Sequence, residues 1–436
     1  MDPFFVESLD LREHPIKKAK KKIRTEHCLA LTYLVKQVVG QTKEKKDILQ
    51  RLEMYQKTLF PDIKIRNLNQ YANLSEIYDC LGNSRKKRYR KKYRLMLICD
   101  VSLILQDNAL ITQVVMVIKH GLSTGEQKEI ERVLMFLFNG IAAEQKYSIV
   151  EPLIKQYCLN KTFLLQHEYR IIVTANMSAG KSTLINALIG KNIAKTSQEA
   201  CTGNICYLYN RAFEDGSVHL LAKKITMNAT FDELHGYGWN EPIAIASYFA
   251  HSTPQIPRVC LIDTPGVNAA LHKEHAELAH SALLYENYDI VLYVICPTNL
   301  GTDAEMKHLQ WVAKKLRGKK IIFVLNKLDN YRECSDSIED SIKKLKEDLV
   351  KLDFKNPVIC PISAYFSYLI KLKMTGQIMS DDEVDEYTYM SKKFWRPSYD
   401  LSCYYNDIKI SDEEPEEIKL SKRAGLYGFE KIIYGG

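Results

Sequence analysis

Residues 169–190 constrain this chain more tightly than any other stretch. The apolar run Tyr169-Arg170-Ile171-Ile172-Val173-Thr174 leads into Ala175-Asn176-Met177-Ser178-Ala179-Gly180-Lys181-Ser182-Thr183, and an amphipathic run over 184–190 follows directly. A buried strand, a tight loop ending Gly-Lys-Ser and a helix form the context in which such a match denotes a phosphate site. The backbone N–H groups of Asn176, Met177, Ala179, Gly180 and Thr183, with the helix N-terminus behind them, supply a concave, positive cradle for phosphate oxygens. Lys181 is expected to reach the β- and γ-phosphates, and the Ser182 hydroxyl to coordinate Mg²⁺. Ala175 occupies the first glycine position of the pattern. It adds one methyl and loses some φ freedom, which a strand exit tolerates. The expectation is a nucleoside triphosphate site.

Three later strand ends complete the site, and two of them select the base. The run Val259-Cys260-Leu261-Ile262 enters Asp263-Thr264-Pro265-Gly266. An Asp there can hold Mg²⁺ through water, and Gly266 lets a backbone N–H approach the γ-phosphate. Ile321-Ile322-Phe323-Val324-Leu325 ends in Asn326-Lys327-Leu328-Asp329. In this pattern the Asp carboxylate accepts the exocyclic amine and ring N–H of guanine, while the Lys stem packs on the base. Adenine offers no such donor pair, so discrimination should be large. Pro357-Val358-Ile359-Cys360-Pro361-Ile362 leads to Ser363-Ala364, where a backbone N–H can meet the guanine carbonyl oxygen. Each piece alone is a weak signal. Four in the right order, each at a strand end, point to GTP.

At Met177-Ser178-Ala179-Gly180-Lys181-Ser182-Thr183-Leu184-Ile185-Asn186-Ala187-Leu188 the chain resembles the dynamin superfamily, its bacterial members most. Thr196-Ser197-Gln198-Glu199-Ala200-Cys201-Thr202-Gly203-Asn204-Ile205 is similar to the family's switch I. The gap from the phosphate loop to Asp263 is far longer than in small Ras-like GTPases. Val291-Leu292-Tyr293-Val294-Ile295-Cys296, followed by Thr302-Asp303-Ala304-Glu305, looks like the family's fourth strand and next helix. The resemblance covers roughly residues 165 to 370. It implies a catalytic, Mg²⁺-sensing role for Thr202, a metal set of Ser182, Thr202 and Asp263, and hydrolysis assisted by Ser178 and Lys181. Val267 sits where Ras-like proteins carry their water-orienting Gln, and dynamin-like GTPases likewise lack it. The resemblance implies instead a G-domain dimer that orders switch I, with the phosphate-loop serine and a bound monovalent cation sharing the charge compensation. Met177 differs from the polar residue of animal dynamins, although apolar residues occur there in bacterial relatives.

The remainder bounds the architecture. At 436 residues and 46% hydrophobic the chain can bury more than one core. The eleven cysteines include no C-x-x-C pair, and several fall inside apolar strands, as expected of small buried thiols in a reducing compartment. The histidines, among them His235, His251 and His272, show no metal-ligand spacing. The first residues lack the pattern of a signal peptide. The most apolar window, 95–118, contains Asp100, Gln106, Asp107, Asn108 and Gln113, which argues against a membrane span. Residues 1–160 read as helical, with apolar periodicity over 28–59, 93–120 and 126–138 and an N-cap at Ser123 or Thr124. They hold 28 Lys and Arg against 18 Asp and Glu, leaving the remainder slightly acidic. Two basic clusters dominate, over 17–24 and 85–94, and the second has eight cations in ten residues with two tyrosines. Such a cluster reads as a solvated linker or helix start, as an anionic-lipid patch, or as a nucleic-acid contact with tyrosine stacking. After the last guanine motif come two acidic runs, 381–386 and 412–417, which read as solvated loops, and a closing helix of the G domain over 425–433.

The expected architecture is an α/β P-loop GTPase domain, with a largely parallel sheet and helices on both faces, over 161–375. An all-helical, basic region over 1–160 precedes it as a surrogate stalk, and an acidic, Tyr-rich segment over 376–436 follows. The expected function is a cytoplasmic, dynamin-like GTP hydrolase, peripheral at the inner face of a membrane. It would self-associate through its G domain or pair with a second dynamin-like protein, and remodel a membrane or protein assembly. The alternatives are a GTP-dependent switch gripping nucleic acid or ribosomes through the basic region, and a GTP-binding scaffold with negligible turnover.

Overall fold

The computed structural model describes residues 3–40, 45–63, 87–120, 122–176, 178–194, 204–235, 242–253, 257–267, 273–333 and 336–435. The chain divides into two compact units: residues 1–165 with 213–216, and residues 166–212 with 217–436.

The first unit is built from helices Lys21–Val39, Lys45–Leu59, Lys87–Leu105, Asn108–Lys119, Thr124–Asn139 and Glu151–Leu165. Their apolar stripes meet in one core that includes Leu34, Tyr55, Ile98, Ile111, Val133 and Tyr157. The periodic run over 93–120 is not one helix. Gln106 takes a left-handed φ of 54°, and Asp107 restarts the chain as an N-cap, its Oδ1 accepting from Leu110 N at 2.8 Å. Residues 28–59 likewise span two helices, the first ending at Gly40. Ser123 caps the next helix, its N–H donating to Glu126 Oε2 at 3.1 Å.

The second basic cluster opens helix Lys87–Leu105, with Arg85 and Lys86 outside the described residues. Arg94 is buried and pairs with Glu126 at 3.0 Å. In the first cluster Lys17, Lys18, Lys20, Lys21 and Lys22 are exposed. Three of these sit at the positive end of helix Lys21–Val39, whose first turn carries no acid. Among the described residues no helix is long and apolar enough to cross a membrane.

Inside this core lies a polar knot. Asp100 is fully buried and accepts from His14 Nε2 at 2.8 Å and His27 Nε2 at 2.7 Å. His14 Nδ1 accepts from Ile16 N at 3.1 Å, so its Nε2 carries the proton. Burial pushes the Asp100 carboxyl up, but the electrostatic pull of His14 and the two imidazole hydrogen bonds outweigh it and hold the group at about 2.

Among the described residues, the second unit is organised by a nine-stranded sheet in the order β4-β3-β5-β2-β6-β1-β7-β8-β9. The strands are β1 Glu168–Ala175, β2 Cys206–Asn210, β3 His219–Leu221, β4 Ile225–Thr226, β5 Ile243–Ser247, β6 Arg258–Asp263, β7 Ile290–Ile295, β8 Lys320–Leu325 and β9 Val358–Pro361. The sheet is largely parallel, with antiparallel pairing only where β2 meets β6 and around β3. Its central strands are continuous apolar runs because both faces are covered, and β7 is buried along its whole length. Cys206, Cys260 and Cys360 are buried thiols on these strands.

The acidic run 381–386 is not a solvated loop. It forms the first turns of helix Asp381–Phe394, where Ser380 and Glu383 make a capping box and the carboxylates face the positive helix end. In the second run, Asp412 to Glu414 lie in a turn and Glu416 opens helix Glu416–Arg423. The closing helix, Leu426–Tyr434, buries Phe429 and Ile433 in the sheet's core.

The Asp100 knot yields a pH prediction. A folded pKa near 2, below the ordinary 3.8, gives stability that is present above about pH 4 and lost as pH falls toward 2. It is worth roughly 2 kcal/mol. Urea unfolding followed between pH 2 and 6 should show that loss, and Asp100→Asn should be less stable at neutral pH and flatter across the same window.

Candidate functional site

The parallel register brings the motif-bearing strand ends level. Val173 lies opposite Asp263, Ala175 opposite Val294, Ile295 opposite Leu325, and Leu325 opposite Pro361. The phosphate loop, the Asp263 turn, the Asn326 turn and the Ser363 turn therefore emerge at one carboxyl edge of the sheet, where ligands of open α/β folds bind.

The phosphate loop leaves β1 and ends at Gly180, the N-cap of helix Lys181–Ile189, with φ at +89°. A Cβ on Gly180 would collide with Asn326 Nδ2 and come within 3.6 Å of Lys327 Cε. Glycine is required there by conformation and by space. Asn326 explains the closeness: its Nδ2 donates to Ala179 O at 3.0 Å, and its Oδ1 accepts from Ala364 N at 3.0 Å. One amide thus ties the phosphate loop to both base-reading turns. Lys327 adopts a left-handed φ of 64° that carries its stem over the loop. Ser363 Oγ donates to Asp329 Oδ1 at 2.7 Å, fixing the carboxylate expected to read guanine.

Lys181 and Asp263, both buried, form a close ion pair. The cation is thus held beneath the loop by the carboxylate from β6. Thr264 Oγ1 donates to Val173 O at 2.9 Å, and Val267 N donates to Ala175 O at 3.3 Å. The side chain of Val267 is buried, so nothing at this position faces outward to orient water. A tight glycine cradle, a buried cation and a carboxylate beside it fit a phosphate ester with a divalent metal.

Ala179, Gly180, Lys181, Asp263, Asn326, Lys327, Asp329, Ser363 and Ala364 thus form one connected network. Ser178 is exposed with φ at 61°. Ser182 and Thr183, half-buried, stand on the first turn of the helix, and Gly266 is half-buried in the Asp263 turn. Met177 and Thr202 lie outside the described residues, as does most of the expected switch I. Asn186 secures the stretch leading toward it: its Oδ1 accepts from Ile193 N at 3.0 Å and Ala194 N at 2.7 Å.

Asn176 faces away from the cradle. Its Nδ2 donates to Glu305 Oε2 at 2.7 Å, and Tyr293 OH donates to Glu305 Oε1 at 2.7 Å. Glu305 is 1% exposed, and burial pushes its carboxyl up despite these two donors. The sequence offered Glu305 only as part of a likeness, with no partner. Two further residues escaped notice. Lys371 is fully buried, pairing with Glu430 at 2.5 Å and donating to Leu188 O at 3.2 Å. Its one sequence signal is a lysine inside the apolar run Tyr368-Leu369-Ile370-Lys371-Leu372. Lys393 donates to Asp329 O at 2.6 Å and Tyr331 O at 2.7 Å, and nothing local marks it.

Residues 171–328 match the Dynamin family profile. A probable transmembrane GTPase FZO-like, chloroplastic, of Arabidopsis thaliana is 25% identical over 224 residues, covering 50% of this chain and 21% of that protein. Dynamin-like protein A of Bacillus subtilis is 24% identical over 185 residues, covering 42% and 15%. A bacterial dynamin-like protein of Nostoc punctiforme is 23% identical over 196 residues, covering 41% and 28%. The chain therefore spans under a third of the length of these relatives.

The Asn176–Glu305 contact can be inverted chemically. Asn176→Asp alone sets two carboxylates against each other, and Glu305→Gln alone loses an ionised acceptor; each should weaken GDP binding about tenfold. In the double variant the amide introduced at position 305 donates to the carboxylate introduced at position 176, while its oxygen still accepts from Tyr293. Affinity measured by calorimetry should then recover most of the loss, and no recovery would refute the pairing.

Proposed function

The chain is a member of the dynamin superfamily through its domain at residues 171–328, and from that premise we propose that it binds GTP with Mg²⁺ and hydrolyses it, faster when two G domains pair. The observation that carries this reading is the Asn326 amide, which joins the phosphate loop and the guanine-reading turns into one frame. A phosphate site and a guanine site built apart would not need that bond.

On this reading Lys181 exchanges Asp263 for the β- and γ-phosphates, and Asp263 is freed toward the metal. Bound between Ser182, Asp263 and Thr202, Mg²⁺ would neutralise phosphate charge. Asp329 accepts from the base while Ser363 holds its carboxylate, and the Lys327 stem covers the base face. Val267 is buried, so water must be oriented elsewhere. Thr202 and Ser178 are the chain's candidates, with a monovalent cation beside Ser178 once a second G domain closes the site.

Hydrolysis would be coupled to remodelling of an anionic membrane or a protein assembly. Support comes from the five exposed lysines over 17–22 and from the company of relatives, one of which is described as a transmembrane GTPase. The rival reading, a switch that grips nucleic acid, rests on the same lysines. A steep salt dependence of oligonucleotide binding, without liposome binding, would favour it.

The decisive measurement is GTP turnover per molecule against protein concentration, with and without anionic liposomes. Lys181→Ala should lower turnover at least a hundredfold. Specific activity should climb several-fold with concentration. A flat rate across the range would sink pairing-dependent hydrolysis.

A further inference from the structure

Helix Asp381–Phe394 lies beyond the matched residues 171–328, yet its last turn reaches the guanine-reading turn. Lys393 is 8% exposed. Its Nζ donates to Asp329 O at 2.6 Å and Tyr331 O at 2.7 Å and lies 4.6 Å from the centre of the Tyr399 ring. Among the described residues it forms no ion pair. Burial pulls its pKa below the ordinary lysine value, against the opposing pull of the Asp329 and Asp336 carboxylates, and its direct contacts are carbonyl dipoles and a ring face. A buried cation without a direct ion pair is costly, so its retention calls for a reason in what it holds.

What it holds is one segment. Tyr399 OH also donates to Tyr331 O at 3.1 Å, and Ser398 Oγ donates to Glu333 Oε1 at 2.8 Å. The chain from Asp329 to Glu333 is thereby gripped by residues 393–399, through the carbonyls of Asp329 and Tyr331 and the carboxylate of Glu333. Asp329 is held twice over, by Lys393 through its carbonyl and by Ser363 through its carboxylate. The grip has a firm base. Phe394 is fully buried and stacks on Phe366 at 4.9 Å, and Arg423 Nη1 donates to Phe394 O at 3.1 Å.

We infer that Lys393 is a specificity-determining positioning residue, which sets the Asp329 carboxylate for the guanine 2-amine from a helix outside the matched family domain. This rests on the guanine reading of Asp329. Inosine diphosphate tests it, because its base differs from guanine only in lacking the 2-amine. A residue that merely stabilises the fold would weaken both nucleotides alike, whereas one that aims Asp329 weakens GDP selectively.

The experiment is calorimetric affinity of the full chain for GDP and inosine diphosphate, in wild type, Lys393→Met and Tyr399→Phe. Lys393→Met should lower GDP affinity about tenfold and inosine diphosphate affinity about twofold, so the ratio falls about fivefold. Tyr399→Phe, which removes one neutral bond and should fold normally, should lower the ratio about twofold. An unchanged ratio in both variants, with wild type preferring GDP, overturns the role of Lys393 alone. A wild type that does not prefer GDP overturns the guanine reading and this inference together.

Discussion

Lys371 is the point on which the nucleotide-binding unit depends. Its ammonium sits wholly inside the protein, between Glu430, Leu188 O and Ala250 O. Those acceptors come from the closing helix, the end of the phosphate-loop helix and the segment after β5. Glu430 in turn accepts from Ser252 N at 2.8 Å. Burying such a pair costs desolvation that its attraction only partly offsets, and removing one partner strands the other charge. A hydrophobic replacement would fill the volume without selecting an arrangement. The ion pair instead fixes which helix end meets which strand, and so where helix Lys181–Ile189 points.

From that anchored helix the site follows by short steps. Gly180 starts it, Asn326 closes against it, and Ala364 receives the other end of the same amide. The C-terminal segment is part of this construction. A Cβ at Gly425 would collide with Pro361 O, and Tyr405 OH donates to that carbonyl at 2.7 Å. Ser363 N donates to Ala424 O at 3.1 Å. The turn presenting Ser363 is therefore braced from behind by residues far beyond the motifs.

The sequence made legible what is written locally. A strand end followed by Gly-Lys-Ser, Asp-x-x-Gly, Asn-Lys-x-Asp or Ser-Ala is a contiguous pattern whose chemistry needs those neighbours, and β1, β6, β8 and β9 stand where such reading places them. Periodicity found the helices but not their breaks, because a left-handed Gln106 leaves the apolar spacing on both sides intact. Long-range polar partners were invisible. The Ser380-x-x-Glu383 spacing is a local capping signature that the acidity of 381–386 masked, whereas nothing local tells Lys393 that its acceptor is 64 positions away. Glu305 and Asp100 share that obscurity. Each was visible as an acid, and each has a meaning that only its buried donors supply.

Val267 shows how one apolar residue redistributes a task. In the Asp263 turn its N–H is committed to Ala175 O and its side chain to the core. A polar side chain here would have to leave the core to reach water, abandoning apolar burial worth about 1.5–3 kcal/mol. The turn is thus built for rigidity rather than for orienting a nucleophile. The flanking elements are equally committed: Asn176 to Glu305, Asn326 to Ala179 and Ala364, Asp329 to Ser363. Among the described residues of the phosphate loop, Ser178, exposed and in a left-handed conformation, is the side chain not spent on the frame. If this unit hydrolyses GTP as proposed, the final organisation of water falls to groups that meet Ser178 from outside that frame, which is what the proposed pairing of G domains would supply.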